Sequence, residues 1–552
     1  MRRALAGSEE SAVTIPNPRH RACVPRSLRT ASALGAAALV ALTMAACGGG
    51  TTASSGGLTV STTGQVPVKP TPHGGTLTIA RTADETTLNP LNGITSTEDE
   101  AVDVDIFDTL VELLPGKSGY QPGLATSWTA SPDGLTYTFE LRAAKFSNGQ
   151  PVTPRDVVFS LRTAQDPKLD ANYASLLAPM KGIDVTGPSE ITIKLSRPTP
   201  GLLGYLSFPP TSIVPQSVYQ KLGAAKFAVH PVGSGAFKVQ SFVKGQGTVL
   251  VRNPYYWRTG LPYVDKVKLV DMPDDNARVL ALRSGSVDIA EGVPFSQLQV
   301  VAKDPKLKLL IANAGILQTG GFFNERVKPL GEKLVRLALN YATPRDAISK
   351  SVYLGLAQPA NSVLPAVDDW DPSVKPYPYD LAKAKALLAK SSVPHGFSVQ
   401  LTIVGTDQQS RAVAQILQSS WAKIGVKLTI RSDDGASEFA DIAKGNFQML
   451  AFPAGGSDSP TPDELMGSLI VYDILGSAYH NQQVKGLAAQ AIGASTAAEH
   501  HRLVQEFQRL ALTDPFDVPI VFPPVRAGMK KTVHGFGYVT SSWYRFDETS
   551  IG

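Results

Sequence analysis

Between residues 124 and 161 the pattern of apolar and polar positions changes period, and the changes mark out separate elements. Leu135, Tyr137, Phe139 and Leu141 alternate with Thr136, Thr138, Glu140 and Arg142, the period of two that marks a half-buried strand. Pro132-Asp133-Gly134 directly before it supplies turn chemistry, so this part reads as a β-hairpin. A second turn at Ser147-Asn148-Gly149 leads to Thr153, an N-cap for a helix with Pro154 at its first position and Val157, Val158 and Leu161 on its inner face. Residues 76–80 alternate as another strand, followed by Leu88-Asn89-Pro90-Leu91-Asn92 and a polar loop to Glu100. Leu and Ala spacing over 335–340, 377–388, 419–426 and 497–512 fits amphipathic helices packed on a sheet, with their charges on solvated faces. Strands mixed with helices in this way predict an α/β chain.

The N-terminal region changes the picture from a fold to a destination. Arg26 and Arg29 precede an Ala-, Leu- and Val-rich run over 31–42 that ends in Met44-Ala45-Ala46-Cys47, the layout of an export signal over 1–46. The run is too short to stay in a bilayer as a spanning helix. Met44-Ala45-Ala46-Cys47 resembles a bacterial lipobox, which implies that Cys47 receives a diacylglycerol and becomes the first mature residue. Cys23 leaves with the leader, so the folded body holds no thiol, and disulfides, thiolate catalysis and cysteine metal sites are excluded. Residues 47–74, rich in Gly, Ser, Thr and Pro, read as a flexible tether with a reach on the order of 30 Å. The net charge of +5 includes six Arg and two Glu in the leader, which leaves the mature chain close to +1 and implies no nucleic-acid partner. A chain of 552 residues, 43% hydrophobic and 18% charged, exceeds one core and suits two or three lobes.

The wording of the opening stretch, SW followed by SPDGLTYTFELR and KFSNGQPVTPRDVVFSL, resembles the signature of the large solute-binding proteins of bacterial ABC importers, the dipeptide/oligopeptide (family 5) class. Asn253-Pro254-Tyr255-Tyr256-Trp257, Pro262-Tyr263-Val264-Asp265-Lys266-Val267 and 282–290 extend the likeness, as do 335–345, 377–388 and 419–426. The resemblance implies an α/β fold like that of type II periplasmic binding proteins, with two lobes around a ligand cleft and an inserted extra domain. The first lobe would comprise 75–105, 229–318 and 515–552, the inserted domain 106–228 and the second lobe 319–514. It also implies a monomer that takes up a small solute, an oligopeptide or dipeptide, and delivers it to ABC permease and ATPase subunits, with no cofactor and no catalysis.

The same resemblance points to ligand residues. In relatives the segment after the first strand lines one cleft wall, which places Thr95, Ser96, Thr97 and Glu98 there. In peptide-binding members an aspartate of a W-x-x-D-Y loop pairs with the ligand's α-ammonium, and Asp458 stands at that position. Here the aromatic three residues earlier is Gly455 and the following tyrosine is Ser459, so a metal chelate, an opine or an oligosaccharide stays open as the solute. Asp458 beside Ser459-Pro460 also reads as an ordinary turn-forming residue. Residues 230–239 match a glycine-bearing turn of the family, in which glycine permits backbone conformations barred to other residues; no phosphate-loop spacing is present. His500 and His501 point different ways on a helix and read as solvent-exposed rather than as metal ligands. A secreted hydrolase and a ligand-presenting signalling receptor are the readings from other classes, and no Gly-x-Ser-x-Gly or His-Glu-x-x-His supports the former.

Overall fold

Thr76–Arg81, Lys266–Asp271 and Ile289–Glu291 lie parallel at the centre of the first of two large sheets in the computed structural model. The structure describes residues 54–552 except 56–57, 72, 93–96, 170, 314–316, 363, 365–370, 372, 405–406, 434–444, 452, 455–460, 472, 474 and 540–542. The first sheet runs in the order Phe237–Val243, Gly247–Arg252, Lys266–Asp271, Thr76–Arg81, Ile289–Glu291, Val525–Lys530, Leu307–Ala312. The second runs Gln358–Pro359, Asp517–Phe522, Leu317–Phe323, Met449–Ala451, Ser398–Val404, Lys427–Asp433, with Pro453–Ala454 added beside Leu317–Phe323.

A separate four-stranded antiparallel sheet, Ala125–Ala130, Thr136–Leu141, Glu190–Leu195 and Met180–Val185, forms the inserted domain's floor. Its first two strands are the hairpin read from the alternation, with Phe139 buried. The helix after it is Pro154–Ala164, capped as its residues dictate: Thr153 and Asp156 exchange the two bonds of a capping box, and Val157 and Leu161 are buried.

Three expectations change. Asp517–Phe522 belongs to the second sheet rather than to a first-lobe tail beginning at 515, because all six residues are buried and it needs a neighbour on each side; Gln358–Pro359 and Leu317–Phe323 supply them. The return to the first sheet comes at Pro523-Pro524, before Val525–Lys530. The polar loop to Glu100 is instead the opening of the helix Thr97–Ile106, whose first turn carries Glu98, Asp99 and Glu100, the charge sign that a helix N-terminus favours.

Part of the expected flexible tether is packed. Leu58, Val60 and Val66 are buried, Ser61 pairs with Ala312, and the Val66 amide donates to the Phe536 carbonyl at 2.9 Å. Leu307–Ala312 is the last strand of its sheet, and its open edge is what the segment covers; alternate apolar residues inside a Ser/Thr-rich stretch provide the grip. Cys47 lies outside the described residues. A chain begun at Gly75 should unfold at lower urea than one begun at Gly57, and Leu58→Ala in the longer chain should cost about 2 kcal/mol or more. Coincident unfolding curves for the two lengths, followed by circular dichroism, would show that the strap contributes nothing.

Candidate functional site

The central parallel strands of the first sheet end at one edge, where open α/β sheets present their ligands. Arg81 ends Thr76–Arg81, Asp271 pairs beside it, and Glu291 follows the Ala290–Ala80 pair. The helix Thr97–Ile106 starts against this edge: Arg81 Nη2 donates to the Glu98 carbonyl at 2.9 Å, and Thr82 Oγ1 donates to Glu98 Oε1 at 3.2 Å. Arg81 is buried and ion-paired with Glu85, while Glu291 lies 3.8 Å from its Nε.

The charges at this edge do not balance. Glu85, Glu98, Asp271 and Glu291 surround Arg81, and the nearby Arg278 is engaged by Asp275 and by the carbonyls of Met272, Pro273 and Glu291. Burial pushes the Glu85 carboxyl up to about 7, more than Arg81 pulls it down. Glu291 and Asp271 are also raised, mainly by burial, with Glu98 adding to the first and Asp84 to the second. Arg81 is raised as its partner is, but for a base that favours the charged form. Burial opposes its charge, but Tyr544, Glu85, Glu291 and Glu98 together outweigh it and hold the guanidinium charged.

The second lobe meets the first beside the chain crossings. The Arg526 guanidinium sits 4.2 Å over the Phe295 ring, and its Nε donates to the Val293 carbonyl at 2.7 Å. Tyr353, from the second lobe, packs edge-on against Phe295 with ring centroids 5.0 Å apart, and its buried hydroxyl has no hydrogen-bond partner among the described residues. Asp407, which caps the helix Gln408–Ala422 by accepting from Gln409 and Ser410, contributes negative charge towards both Tyr353 and Arg526. Sequence reasoning missed Arg526 and Tyr353. A lone arginine in the apolar stretch 518–529 was the signal available for the first; nothing in the order of residues marked the second.

Of the residues expected to line the cleft, Thr95, Ser96 and Asp458 lie outside the described residues. Thr97 is the first residue of its helix, and Glu98 stands on the acidic edge next to Thr82 and Arg81. The strand Pro453–Ala454 and the helix Pro462–Leu465 flank Asp458 in sequence, and Pro453 pairs with Gln318 in the second sheet. His500 departs from the expected exposure. It is buried on the face that carries Leu503, Val504 and Phe507, with Nε2 2.6 Å from Asp463 Oδ1, whereas His501, one position on, is exposed. The glycines of the turn 230–239 are needed for close approach rather than for an unusual φ: a Cβ on Gly233 would lie 2.1 Å from the Ile106 carbonyl oxygen. Among the described residues no cluster of His, Cys, Asp or Glu is placed to hold a metal ion, and no helix is long and apolar enough to cross a membrane.

Raised carboxyls give the fold a pH signature. Asp108 and Asp517 join Glu85 at about 7; burial is the main cause in each, with Glu112 adding to it for Asp108. Between its unfolded value near 4 and about 7 each such group binds more protons folded than unfolded, so its stabilising effect is complete at low pH and is lost as pH rises through 7. The depressed carboxyls Asp371 and Asp547 act with opposite sign, but below their ordinary values. The melting temperature should therefore be higher at pH 5.5 than at pH 7.5, and Asp517→Asn should flatten that slope, its share being on the order of 2 kcal/mol. A melting temperature that climbs over this interval would contradict the assignment.

With this geometry in view, the likenesses to known proteins fall into place. Residues 119–471 match the model of the bacterial extracellular solute-binding proteins, family 5 Middle. The chain is 28% identical over 439 residues to the glutathione-binding protein GsiB of Escherichia coli O6:K15:H31, a span covering 78% of this chain and 85% of the relative. The solved structure of DppA from Helicobacter pylori in complex with the peptide STSA superposes with a TM-score of 0.78 at 28% identity, over 87% of this chain and 98% of that one. AgaA from A. tumefaciens R10, in complex with agropinic acid, gives 0.76 at 29% identity over 87% and 99%. The two sheets joined by crossings, the separate antiparallel domain and the matched span agree, and the chain belongs to the bacterial extracellular solute-binding proteins of family 5.

Proposed function

We propose that the protein captures a short peptide by its cationic amino end and hands it to the permease of an ABC importer, acting from the outer face of the membrane to which Cys47 anchors it. Family membership supplies the coarser statement, an extracytoplasmic solute-binding protein that serves an ABC importer. The observation that carries the finer reading is the acidic edge of the first lobe, where among the described residues Glu85, Asp271 and Glu291 outnumber Arg81 and Arg278, the latter engaged by Asp275. A site with surplus carboxylate favours an ammonium group, and it does so most when water is excluded. Two relatives are described with peptides, glutathione being a tripeptide and STSA a tetrapeptide. The smaller residues Gly455 and Ser459 favour a second reading, a non-peptide amine such as an opine, the class of ligand held by AgaA.

In addition to that edge, we assign a direct contact with the ammonium to Asp458, on its place in the family's W-x-x-D-Y loop. Asp458→Ala should weaken binding of glutathione or short peptides by about thirtyfold or more in calorimetry, as expected when a buried charge loses its partner. Acetylating the peptide's amino end should do the same to the parent protein, and the two losses should not add. Normal peptide affinity in Asp458→Ala, or indifference of the parent to peptides and glutathione alike, would favour the second reading.

The anchor is tested separately. Cys47→Ser should move the protein from the membrane fraction to the soluble fraction, and continued sedimentation with membranes would rule out Cys47 as the attachment point.

A further inference from the structure

The inserted domain faces the second lobe, yet the apolar residues of the two fall in different clusters. Phe139, Leu161, Leu202 and Phe208 belong to one, while Leu465, Val484 and Phe507 pack with Phe322 and Leu450 of the second sheet. What joins them is polar. Tyr205 Oη, from the inserted domain, donates to Asp463 Oδ2 at 2.7 Å, and on the other side of the same carboxylate His500 Nε2 is 2.6 Å from Oδ1. Arg197 Nη1, also from the inserted domain, donates to the Ile492 carbonyl at 2.7 Å. Tyr205, Asp463 and His500 are all buried.

We propose that Asp463, gripped by Tyr205 from one body and His500 from the other, is the clasp that holds the cleft closed. A contact made of hydrogen bonds suits that task better than an apolar one. When the bodies part, water replaces each bond, so the net gain on closing is modest and the equilibrium stays within reach of a ligand's differential affinity. An apolar interface of similar extent would hold the cleft shut without a ligand or expose a sticky face when open. Gly201 is fitted to the clasp. A Cβ there would lie 2.7 Å from Asp463 Oδ2 and 3.0 Å from Tyr205 Oη, so no larger residue leaves room for the bond.

The clasp also bears on affinity from a distance. Asp463 follows Asp458 by five positions and belongs to the helix Pro462–Leu465, so fixing it fixes one end of the segment that carries Asp458. Tyr205 and His500 are positioning residues in this scheme.

Pulsed electron resonance measures the clasp without any solute. Spin labels go on Val185→Cys, which is exposed on the inserted domain, and on Ala498→Cys, exposed on the helix Ala497–Ala511, in the full chain carrying Cys23→Ser and Cys47→Ser. The parent should populate the separation found in the structure described here. Tyr205→Phe, Asp463→Asn and Gly201→Ala should each lower that population relative to the longer separations by roughly tenfold or more, the loss expected for a hydrogen bond to a charged acceptor. Tyr205→Phe removes one oxygen and keeps the ring, so it reports even if Asp463→Asn does not fold. Unchanged distance distributions in Tyr205→Phe and Gly201→Ala, or a parent that never shows the shorter separation, would overturn the proposal. Because no solute is added, this result is independent of whether the ligand is a peptide.

Discussion

One apolar core spans both large sheets, and it lies beside the chain crossings. Val279, Leu282, Phe295 and Leu298 of the first lobe share a cluster with Val335, Tyr353, Leu401 and Trp421 of the second. Close-packed side chains resist separation, so relative motion of the lobes is confined to rotation about this joined side. Everything that must change partners lies elsewhere and is polar: the acidic edge around Arg81, and Asp463 between Tyr205 and His500. The division between an apolar hinge side and a polar opening side is what makes one fold both stable and able to close.

The helix Thr97–Ile106 ties these regions together with buried carboxylates. Asp99 accepts from the Thr86 amide and hydroxyl and from the Thr87 amide, Glu100 from Trp543 Nε1, and Asp105 from the Phe546 amide. The bonds reach two segments, Thr86-Thr87 and the tail from Trp543 to Phe546, so the helix is held by both at once. Burying acids costs stability unless they are bonded, and burial raises even a bonded one, since Asp105 is held well above its ordinary range. Asp103, buried near Asp99 and Glu85, is raised well above its ordinary range for that reason. This helix is stable only inside the whole fold.

That dependence explains what the sequence could and could not disclose. The hairpin, the Thr153 cap and the helix Ala497–Ala511 obey local rules, namely alternation, turn residues and capping, and they stand where the residues predicted, whereas the helix expected over 419–426 is the end of Gln408–Ala422. The helix Thr97–Ile106 escaped because its acidic residues look like solvent-facing positions until Thr86, Trp543 and Phe546 arrive from far along the chain. His500 escaped for the same reason, since its partner Asp463 is 37 positions away and a histidine on an amphipathic helix gives no sign of being a buried acceptor's neighbour. The strap over 58–66 was hidden by composition: Ser, Thr and Gly outweigh Leu58, Val60 and Val66, yet these three buried side chains and an open sheet edge seat it.

The acidic edge carries the same logic into binding. Burial holds Glu85 at about 7 and raises Glu291 and Asp271, so this edge carries less negative charge than the same carboxyls would in water. If the proposed ammonium binds there, it would stabilise the ionised forms and release protons, and its binding would tighten as pH rises through 7. A neutral solute has no such term to draw on, and it would meet carboxyls that have already lost their best hydration. Under the proposed function, preference for a cationic group would rest on how deeply the carboxyls are buried as much as on any single contact, and that depth is fixed by the scaffold.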